Sequence, residues 1–530
     1  MMFVHREQMR LTEGAYPDPL GHTLVREGCL VGNRRSLLRG ALMLTGVNLL
    51  LRFGSTGFQV WLSGRIGAAG IGLMQLVLSV NILALTLGAA GGRTTAMYLC
   101  AEALGQERRA DADRILSGCF VYSILCAGTV SAGLYLLAPK LAQGWIGSME
   151  ALPALRTWAS FLPVICLTGV MTGYFTAANR IGMLAAVEVA EQVFSIGVTA
   201  LCLHGIDPAD RAASCRCVVL GSCLGAVVTL VCLMLLYARN CGEGESRIPV
   251  ARPILRCALP LAVADDLKAA VSAVENLMVP RRLGLYAGTG DPLAAFGRVG
   301  GMVFPVMMFP SCILFALAEL LIPELARCAA SGSRNRIQYL VKRSLKVALL
   351  YGILFCGLEF LLAEQLCMRL YDNPEAGRSL KWYALMIPML YCDLLTDAMI
   401  KGLGQQKISV RYNILTSAMD VALLFLLLPR YGMTGYLISF FVTHLINFGL
   451  SLRRLLKITR IHIPVKIPVF ALLAMAASIL GCESLPDGIA GVTAYILLLG
   501  SLLCLLGITG REDLRWFRGL IGRERVGSLR

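Results

Sequence analysis

Long apolar runs separated by short polar segments follow one another along almost the whole chain. Each run holds about 20 residues, the length at which a helix crosses a bilayer core of about 30 Å. The pattern predicts fourteen membrane spans, numbered in chain order: 38–63, 71–91, 115–137, 157–178, 182–203, 217–237, 255–279, 298–322, 345–366, 381–401, 412–429, 434–452, 467–482 and 488–508. We therefore expect an all-α polytopic membrane protein.

The composition agrees with this interpretation. Hydrophobic residues make up 57% of the 530 residues and charged residues only 15%, whereas a typical soluble domain has about 45–50% and about 25%. These proportions exclude a disordered, collagen-like or ordinary soluble chain. The first 35 residues do not resemble a signal peptide, because the apolar run that follows them is too long and lacks a small-residue cleavage site.

The distribution of lysine and arginine predicts the orientation in the membrane. Of 49 such residues, 33 fall in the tails and in the loops after even-numbered spans, 12 fall in the other loops, and four lie inside spans. Because cytoplasmic loops carry the excess of positive charge, both termini are expected in the cytoplasm. Topology and contact with anionic lipid thus explain the net charge of +16, and nucleic-acid binding is not expected.

The two halves of the chain repeat each other in local sequence. Leu38–Leu42 at span one is matched by Leu255–Leu259 at span seven, and Leu162-Pro163 in span four by Ile387-Pro388 in span ten. Because six spans are an even number, two such units would be related by a pseudo-two-fold axis along the membrane normal. The expected domains are a cytoplasmic tail (1–35), a six-helix N-lobe (36–240), a six-helix C-lobe (250–460), an extra helix pair (461–510) and a basic cytoplasmic tail (511–530).

Polar side chains share one helical face within six of the spans. In span one, the spacing of Asn48, Arg52, Ser55 and Gln59 places them on one face, with a cation near the middle of the membrane. Charged groups in hydrocarbon are costly and usually face a bundle interior or a water-filled cavity. Arg52 has no acid within one turn on its own helix, so we expect its partner on another helix or on a substrate.

Further polar faces in spans two, five, seven, ten and eleven favour a central hydrophilic cavity. The candidates for binding or ion coupling on these faces are Glu188 and Glu191 in span five, Asp265, Lys268 and Glu275 in span seven, and Thr416 and Asp420 in span eleven; the polar face of span ten consists of Asp393, Thr396, Asp397 and Lys401. The charged residues among these could instead form structural ion pairs, as Asp265 and Lys268 could at a spacing of three residues. Arg298, at the outer edge of span eight, could bind substrate or anchor the helix end at the interface.

Span eight is rich in residues that interrupt helices: Gly297, Gly300, Gly301, Pro305 and Pro310. Proline removes a backbone hydrogen bond and crowds the preceding turn. A bent span is therefore predicted here.

The chain lacks the signatures of soluble enzymes and metal proteins. Its sequence has no phosphate-binding loop with a lysine, no dinucleotide fingerprint and no loop long enough for a catalytic domain. The 19 cysteines sit mostly singly within spans, without a CxxC pair or a histidine at metal-ligand spacing. We expect a protein that is not an enzyme and that needs no cofactor or bound metal.

Four segments carry a resemblance to a known superfamily: Gly67–Leu73 after span one, Ala101–Leu116 after span two, Glu275–Leu283 at the end of span seven, and Phe309–Glu324 in span eight. The sequence resembles the multidrug/oligosaccharidyl-lipid/polysaccharide (MOP) exporters, in particular the polysaccharide-biosynthesis branch typified by the stage V sporulation protein B group, with the lipid II flippases as relatives. The resemblance covers about residues 36–460 and implies two six-helix lobes around a central cavity. The extra helix pair would then shape a groove for a lipid tail.

The resemblance also implies roles for individual residues. Cavity arginines of the superfamily bind a pyrophosphate, and Arg52, fifteen residues before Gly67, and Arg298 fall at or near matching places. Phe58 stands where the lipid II flippases usually have a second arginine, which argues against lipid II as the substrate. A superfamily cation site between helices seven and eleven has counterparts in Glu275, Thr416 and Asp420, with Na⁺ or H⁺ as the coupling ion.

The resulting hypothesis is a flippase that carries a polyprenyl-pyrophosphate-linked oligosaccharide or peptidoglycan precursor to the outer leaflet by alternating access. Arg52, with Arg298 or Lys268, would bind the pyrophosphate, and Asn48 and Gln59 would line the same cavity. One alternative is a cation-coupled multidrug exporter that uses the acids of spans five and seven, and a second is a membrane-embedded glycosyltransferase or polymerase. We expect a monomer in a bacterial cytoplasmic membrane whose partners are the lipid-linked sugar and membrane lipids, with a role in sporulation, wall or capsule synthesis.

Overall fold

The computed structural model describes residues 34–207, 210–239, 248–288, 290–461, 464, 466–482 and 489–508. The expected tails 1–35 and 511–530 lie outside the described residues, apart from 34 and 35 at the start of the first helix. Residues 1–44 and 45–530 are two separate units, and the contacts reported below all belong to the second. Within the described part, every regular element is a helix.

The α-helices follow in chain order as α1 (Arg34–Ala89), α2 (Gly92–Gly105), α3 (Arg109–Leu141), α4 (Leu152–Ala177), α5 (Ile181–His204), α6 (Arg211–Ala238), α7 (Ala251–Leu283), α8 (Pro292–Arg298), α9 (Phe304–Met308), α10 (Cys312–Ala330), α11 (Arg334–Tyr371), α12 (Pro374–Ala384), α13 (Ile387–Gly402), α14 (Gln406–Thr459), α15 (Lys466–Cys482) and α16 (Ile489–Leu505). Shorter π-helical segments occur at Ala142–Ile146 and Val299–Val303, and a 3₁₀ turn at Met149–Ala151.

α1 contains two spans joined at a single glycine. Gly67 has φ 70° and ψ 173°, a left-handed conformation that glycine adopts without steric cost. Ser63 Oγ donates to Gly301 O at 3.2 Å, and Ile71 lies against the same Gly301. A straight helix would separate residues 63 and 71 by about 12 Å along its axis. The chain therefore turns back at Gly67, between spans one and two.

α14 reverses in the same way at Gly432, which has φ 57° and ψ −136°. Ser439 Oγ donates to Asp420 Oδ1 at 2.6 Å. Nineteen residues of straight helix would span about 28 Å, so this hydrogen bond requires the reversal. Spans eleven and twelve thus form a second hairpin with a one-residue turn.

The number of spans agrees with the sequence prediction of fourteen. Seven helical stretches of the described chain are long and apolar enough to cross a membrane, and two bent helix pairs bring the number to nine. Two of these stretches, α1 with α2 and α14, contain two spans each because of the reversals. The more highly charged α7 and the shorter apolar α15 and α16 supply the remaining three.

Some helices continue beyond the predicted edges of the spans. The segment 93–114, expected as a cytoplasmic loop, is largely helical because it forms most of α2 and the start of α3. These helices pack on each other and on α4, and their contact faces bury Ala96, Cys100 and Leu116. A helix whose side chains pack on neighbours does not need to end where the hydrocarbon ends.

Span eight is bent, as its glycines and prolines predict. α8 leads through the π-helical segment Val299–Val303 into α9, and the axis turns by 64° before α10 begins at Cys312. Pro310 lies in the break. Span ten is also bent, by 60° between α12 and α13, and its predicted start at residue 381 falls inside α12.

The extra helix pair is fixed to span nine. α15 and α16 pack on each other, and both contact α11. Tyr495 of α16 is fully buried, and its hydroxyl donates to Ile353 O at 2.8 Å. Gly357 leaves room for the ring, because a Cβ at this position would overlap the Tyr495 side chain. The predicted pair thus lies against the C-lobe.

Spans two and eight approach each other backbone to backbone. A Cβ at Gly297 would overlap Ala68 O, and a Cβ at Gly72 would overlap Leu293 O. Small residues allow such close approach of transmembrane helices. Glycine therefore sets the distance between the N-lobe and the C-lobe along this contact.

The Gly297→Ala variant is expected to lower the thermal midpoint of the detergent-solubilised protein by several degrees. The added methyl group meets a backbone oxygen that cannot rotate away, and overpacking of this kind costs about 1–3 kcal/mol. The control is Gly64→Ala, since Gly64 of α1 faces open space and alanine favours a helix. Equal midpoints for Gly297→Ala and the unmodified protein would contradict the close contact.

Candidate functional site

Arg52 lies in a cavity between span one and span eight. Its guanidinium carbon is 3.6 Å from the centroid of the Phe315 ring, within the range of a cation–π contact. The cavity has a volume of about 330 Å³, and its other polar lining residues are Ser55 and Glu319. Arg52 therefore faces the space between the two lobes.

Neighbouring helices hold the turn that carries Arg52. Gln192 Nε2 in span five donates to Leu51 O at 2.8 Å and to Ser55 Oγ at 2.9 Å. On the other side, Phe53 packs edge-on against Phe309 of span eight, with 4.9 Å between ring centroids. Span one is thus contacted from both lobes at this level.

Two other residues of the predicted polar face of span one, Asn48 and Gln59, are not among the described residues that line the Arg52 cavity. Gln59 is half-buried and does not line the Arg52 cavity. The side chain of Asn48 lies outside the described residues. The polar face predicted for span one is therefore represented in the cavity by Arg52 and Ser55.

Arg298 lies apart from Arg52 in this structure. It forms an ion pair with Glu375 at the start of α12. The adjacent Gly297 lies against Ala68, sixteen residues beyond Arg52 and thus about 24 Å further along α1. The two arginines are therefore too far apart to contact one pyrophosphate in this arrangement. The ion pair of Arg298 with Glu375 is a long-range contact that helical periodicity does not show.

The acids of span five have partners within the N-lobe. Glu191 Oε2 accepts a hydrogen bond from Thr229 of span six at 2.7 Å, and Glu188 lies near Arg93 at the start of α2. In span seven, Asp265 and Lys268 are exposed and form no ion pair with each other within the described chain. None of these four predicted site residues lines the Arg52 cavity.

Spans seven and eleven bring Glu275 and Asp420 together. The two carboxyl groups lie close enough to interact directly. Asp420 Oδ1 also accepts from Ser439 at 2.6 Å and from Thr443 at 3.2 Å. Like charges repel strongly at low dielectric, so two such carboxyl groups can share a buried site only with a proton or a cation between them. The cluster is therefore suited to hold one positive charge.

Sequence reasoning identified only part of this cluster. Thr416 lies one turn before Asp420, but its hydroxyl donates to Tyr412 O at 2.9 Å and to Asn413 O at 3.1 Å. Ser439 and Thr443 of span twelve were missed, although their spacing of four residues in an apolar run is a polar-face signal. Within the described residues, no group of three or more His, Cys, Asp or Glu side chains could hold a metal ion.

A second cavity, which we call the C-lobe cavity, adjoins the Arg52 cavity. It has a volume of about 410 Å³, and Phe315 and Glu319 line both cavities. Its other polar lining residues come from spans ten, eleven and twelve and are Asp393, Asp397, Lys401, Asn413, His444 and Asn447. The sequence showed the polar faces of spans ten and eleven but did not show that they enclose a space with span twelve.

The polar side chains of the C-lobe cavity are connected by hydrogen bonds. Asp397 pairs with Lys401 at 2.5 Å and accepts from Ser409. Asp393 Oδ2 accepts from Asn447 Nδ2 at 3.1 Å. Arg52 thus lies on one side of Phe315 and an acidic and amide wall of the C-lobe on the other, and Glu319 borders both cavities.

Comparison with known sequences identifies relatives over most of the chain. The family model described as polysaccharide biosynthesis protein matches residues 37–329, which is more than half of the chain. Stage V sporulation protein B of Bacillus subtilis (strain 168) is 22% identical over 422 residues, covering 75% of this chain and 79% of the relative. Sporulation protein YkvU of the same organism is 23% identical over 325 residues, covering 58% and 70%.

Solved structures with the same architecture are transporters. The lipid II flippase MurJ in an inward closed conformation has a TM-score of 0.65 at 13% identity, covering 91% of this chain and 100% of that one. The inward-facing conformation of a multidrug resistance MATE family transporter of the MOP superfamily has a TM-score of 0.59 at 15% identity, covering 80% and 100%. At these identities the likeness establishes the fold, that of a multi-pass membrane protein. The chain belongs to the polysaccharide biosynthesis protein family and has the fold of the MOP superfamily transporters.

Proposed function

We propose that this protein is a flippase that moves a polyprenyl-pyrophosphate-linked oligosaccharide or peptidoglycan precursor from the inner to the outer leaflet of a bacterial cytoplasmic membrane. The observation that carries the proposal is the position of Arg52, a guanidinium in the middle of span one that faces a cavity between the lobes. A cation inside the hydrocarbon is costly unless it faces water or an anion. The family and the flippase fold support the pyrophosphate of a lipid-linked sugar as the anion that Arg52 faces.

In this mechanism Arg52 binds the pyrophosphate. Guanidinium groups bind phosphate oxygens through two parallel, charge-assisted hydrogen bonds. Phe315 covers one face of the guanidinium and leaves its edge, where the N–H groups lie, for the ligand. The polar head crosses through the cavity while the prenyl tail stays in the lipid, and the two lobes rock to open one side at a time.

The direction of transport is electrically favourable. The head moves negative charge outward, and an inside-negative membrane potential favours this direction because it repels negative charge from the cytoplasm. Each charge contributes roughly 2.3 kcal/mol per 100 mV, so two charges supply roughly 4–5 kcal/mol. The potential can therefore drive the loaded step without hydrolysis of a nucleotide.

We assign cation coupling to Glu275 and Asp420, with Na⁺ or H⁺ as the ion. The two carboxyl groups and the hydroxyls of Ser439 and Thr443 supply the hard oxygen ligands that such ions prefer. A cation bound between spans seven and eleven neutralises the like-charge repulsion and favours the arrangement in which the spans are close.

A cation-coupled multidrug exporter is the second candidate. The C-lobe cavity favours it, because the Asp393 carboxylate faces a space large enough for an organic cation. The two functions differ in a simple assay: an exporter confers drug resistance on a sensitised host, whereas a flippase of lipid-linked sugars does not. We place catalysis by a glycosyltransferase or polymerase third, since no residue cluster in the described chain suggests it.

The Arg52→Ala variant is expected to insert normally but to flip its substrate at least about 30-fold more slowly, since loss of a charge-assisted hydrogen-bonded pair with the phosphate costs about 2 kcal/mol. The measurement is the appearance of a fluorescent polyprenyl-pyrophosphate sugar in the outer leaflet of reconstituted vesicles. Arg65→Gln is the matched control, because Arg65 does not line the Arg52 cavity. Undiminished flipping by Arg52→Ala would refute the pyrophosphate role.

The Asp420→Asn variant is expected to keep basal flipping driven by the membrane potential but to lose its stimulation by an imposed cation gradient. The amide leaves Glu275 without the second carboxylate that a bound cation requires. Flipping rates are compared with Na⁺ and with pH gradients applied separately. A gradient response equal to that of the unmodified protein would remove the coupling role from this cluster.

A further inference from the structure

The C-lobe cavity contains acceptor atoms without donors. Asp393 Oδ1 and Asn447 Oδ1 are buried and have no hydrogen-bond partner within the described part of the chain. His444 Nδ1 is 2.9 Å from Phe440 O, so in the neutral ring it donates there and leaves Nε2 as an acceptor. Buried acceptors without partners are rare and costly, which makes their presence beside an open cavity informative.

The one lysine or arginine among the lining residues of the described chain is already paired. Lys401 lies 2.5 Å from Asp397, so it does not compensate the charge of Asp393. A phosphate in this cavity would lie near the carboxylate of Asp393, and no unpaired cation among the lining residues would offset the repulsion. The C-lobe cavity therefore selects a ligand group that donates hydrogen bonds and carries no negative charge.

We propose that the C-lobe cavity is the subsite for the first sugar of the lipid-linked substrate. Its hydroxyl and amide N–H groups donate to Asp393 Oδ1, Asn447 Oδ1 and His444, while the pyrophosphate lies at Arg52 on the other side of Phe315. The inference rests on the proposed flippase function and narrows its substrate class. The sugar next to the pyrophosphate is neutral or N-acetylated, and a uronic acid at that place is rejected by the charge of Asp393.

The test measures binding of three probes to the full chain in lipid nanodiscs. The probes are undecaprenyl pyrophosphate, the same lipid carrying one N-acetylhexosamine, and the same lipid carrying one uronic acid. The N-acetylhexosamine lipid is expected to bind about tenfold more tightly than the bare lipid, and the uronic acid lipid no more tightly than the bare lipid. Asp393→Ala and Asn447→Ala remove the tenfold gain and leave bare-lipid binding within about twofold.

Controls separate the subsite from the flippase function itself. Asp265→Ala, an exposed acid of span seven outside both cavities, leaves all three affinities unchanged. Asp393→Leu, which is similar in size but has no acceptor, replaces Asp393→Ala if the thermal midpoint shows that the smaller side chain prevents folding. Equal loss of bare and glycosylated lipid in these variants, or tight binding of the uronic acid lipid, would overturn the sugar subsite. If none of the three probes binds the unmodified protein, both the flippase function and the sugar subsite are refuted. This outcome is distinguishable from failure of the subsite alone, because it is seen before any substitution is made.

A third cavity carries a second inference that does not depend on the flippase function. At the end of the N-lobe that the charge distribution places outside, Arg156 and Arg216 line a cavity of about 350 Å³. The Arg156 guanidinium carbon lies 5.3 Å from the centroid of the Tyr135 ring, and the hydroxyl-bearing Thr157 and Ser160 complete the polar lining. Neither arginine forms an ion pair with an acid of the described chain.

The surroundings of this cavity belong to the membrane interface. Leu136 and Leu137, on the same helix as Tyr135, are exposed, as is Trp145 just beyond that helix. Exposed leucines next to a tryptophan are typical of the boundary between hydrocarbon and headgroups. Two arginines without acids match a phosphate group. The geometry points to a binding site for the phosphate of a lipid headgroup at this end of the N-lobe.

Native mass spectrometry of the purified full chain tests this site. Phosphatidylglycerol is expected to remain bound to the unmodified protein and to be lost several-fold more readily from the double variant Arg156→Gln/Arg216→Gln. The Lys140→Gln variant is the control and is expected to retain the lipid, because Lys140 lies at the same end of the N-lobe but does not line the cavity. Glycerol phosphate is added as a soluble competitor: displacement at low concentration would show that the site takes a free phosphate instead. Equal retention by the double variant and the unmodified protein would refute the site.

Discussion

Hydrocarbon offers no partner for a hydrogen bond, and the architecture of this protein follows from that constraint. Backbone groups are satisfied within helices throughout the described chain, since a helix closes its own hydrogen bonds. The surface toward lipid is apolar, with Leu136, Leu201 and Leu505 more than 75% exposed. Polar side chains within the spans are consequently gathered inside, at the Arg52 cavity, the Glu275–Asp420 cluster and the C-lobe cavity.

The two lobes meet through contacts of opposite character. Between spans two and eight, glycines such as Gly72 and Gly297 allow backbone to touch backbone, and no space remains for a ligand. Further along span eight, Phe315 and Glu319 border two cavities, one lined by Arg52 and the other by Asp393, Asp397 and Lys401. The bend and the π-helical segment of span eight lie between these two regions. Span eight thus carries both the tight glycine contact with span two and the residues that line the cavities, and its bend lies between these two parts.

The sequence predicted most of the fold because membrane helices leave a strong one-dimensional signal. Span number, the bend in span eight and the charge of Arg52 could be read from local composition. Arg298 could not be placed correctly beside Arg52, because its ion pair with Glu375 joins segments 77 residues apart. The C-lobe cavity was not foreseen for a similar reason: Asp393, Asn413 and Asn447 lie on three spans, and only their packing makes them neighbours. Helical periodicity shows which residues share a face but does not show which faces meet.

The single-residue turn at Gly67 has a mechanical consequence. A longer, flexible loop would let spans one and two slide past each other. A one-residue connection is short and stiff, so a displacement of span one, which carries Arg52, also moves Ala68 and Gly72 at the start of span two. Those residues form the contact with span eight. In the proposed flippase, ligand binding near Arg52 and the contact between spans two and eight are therefore linked through one glycine, Gly67.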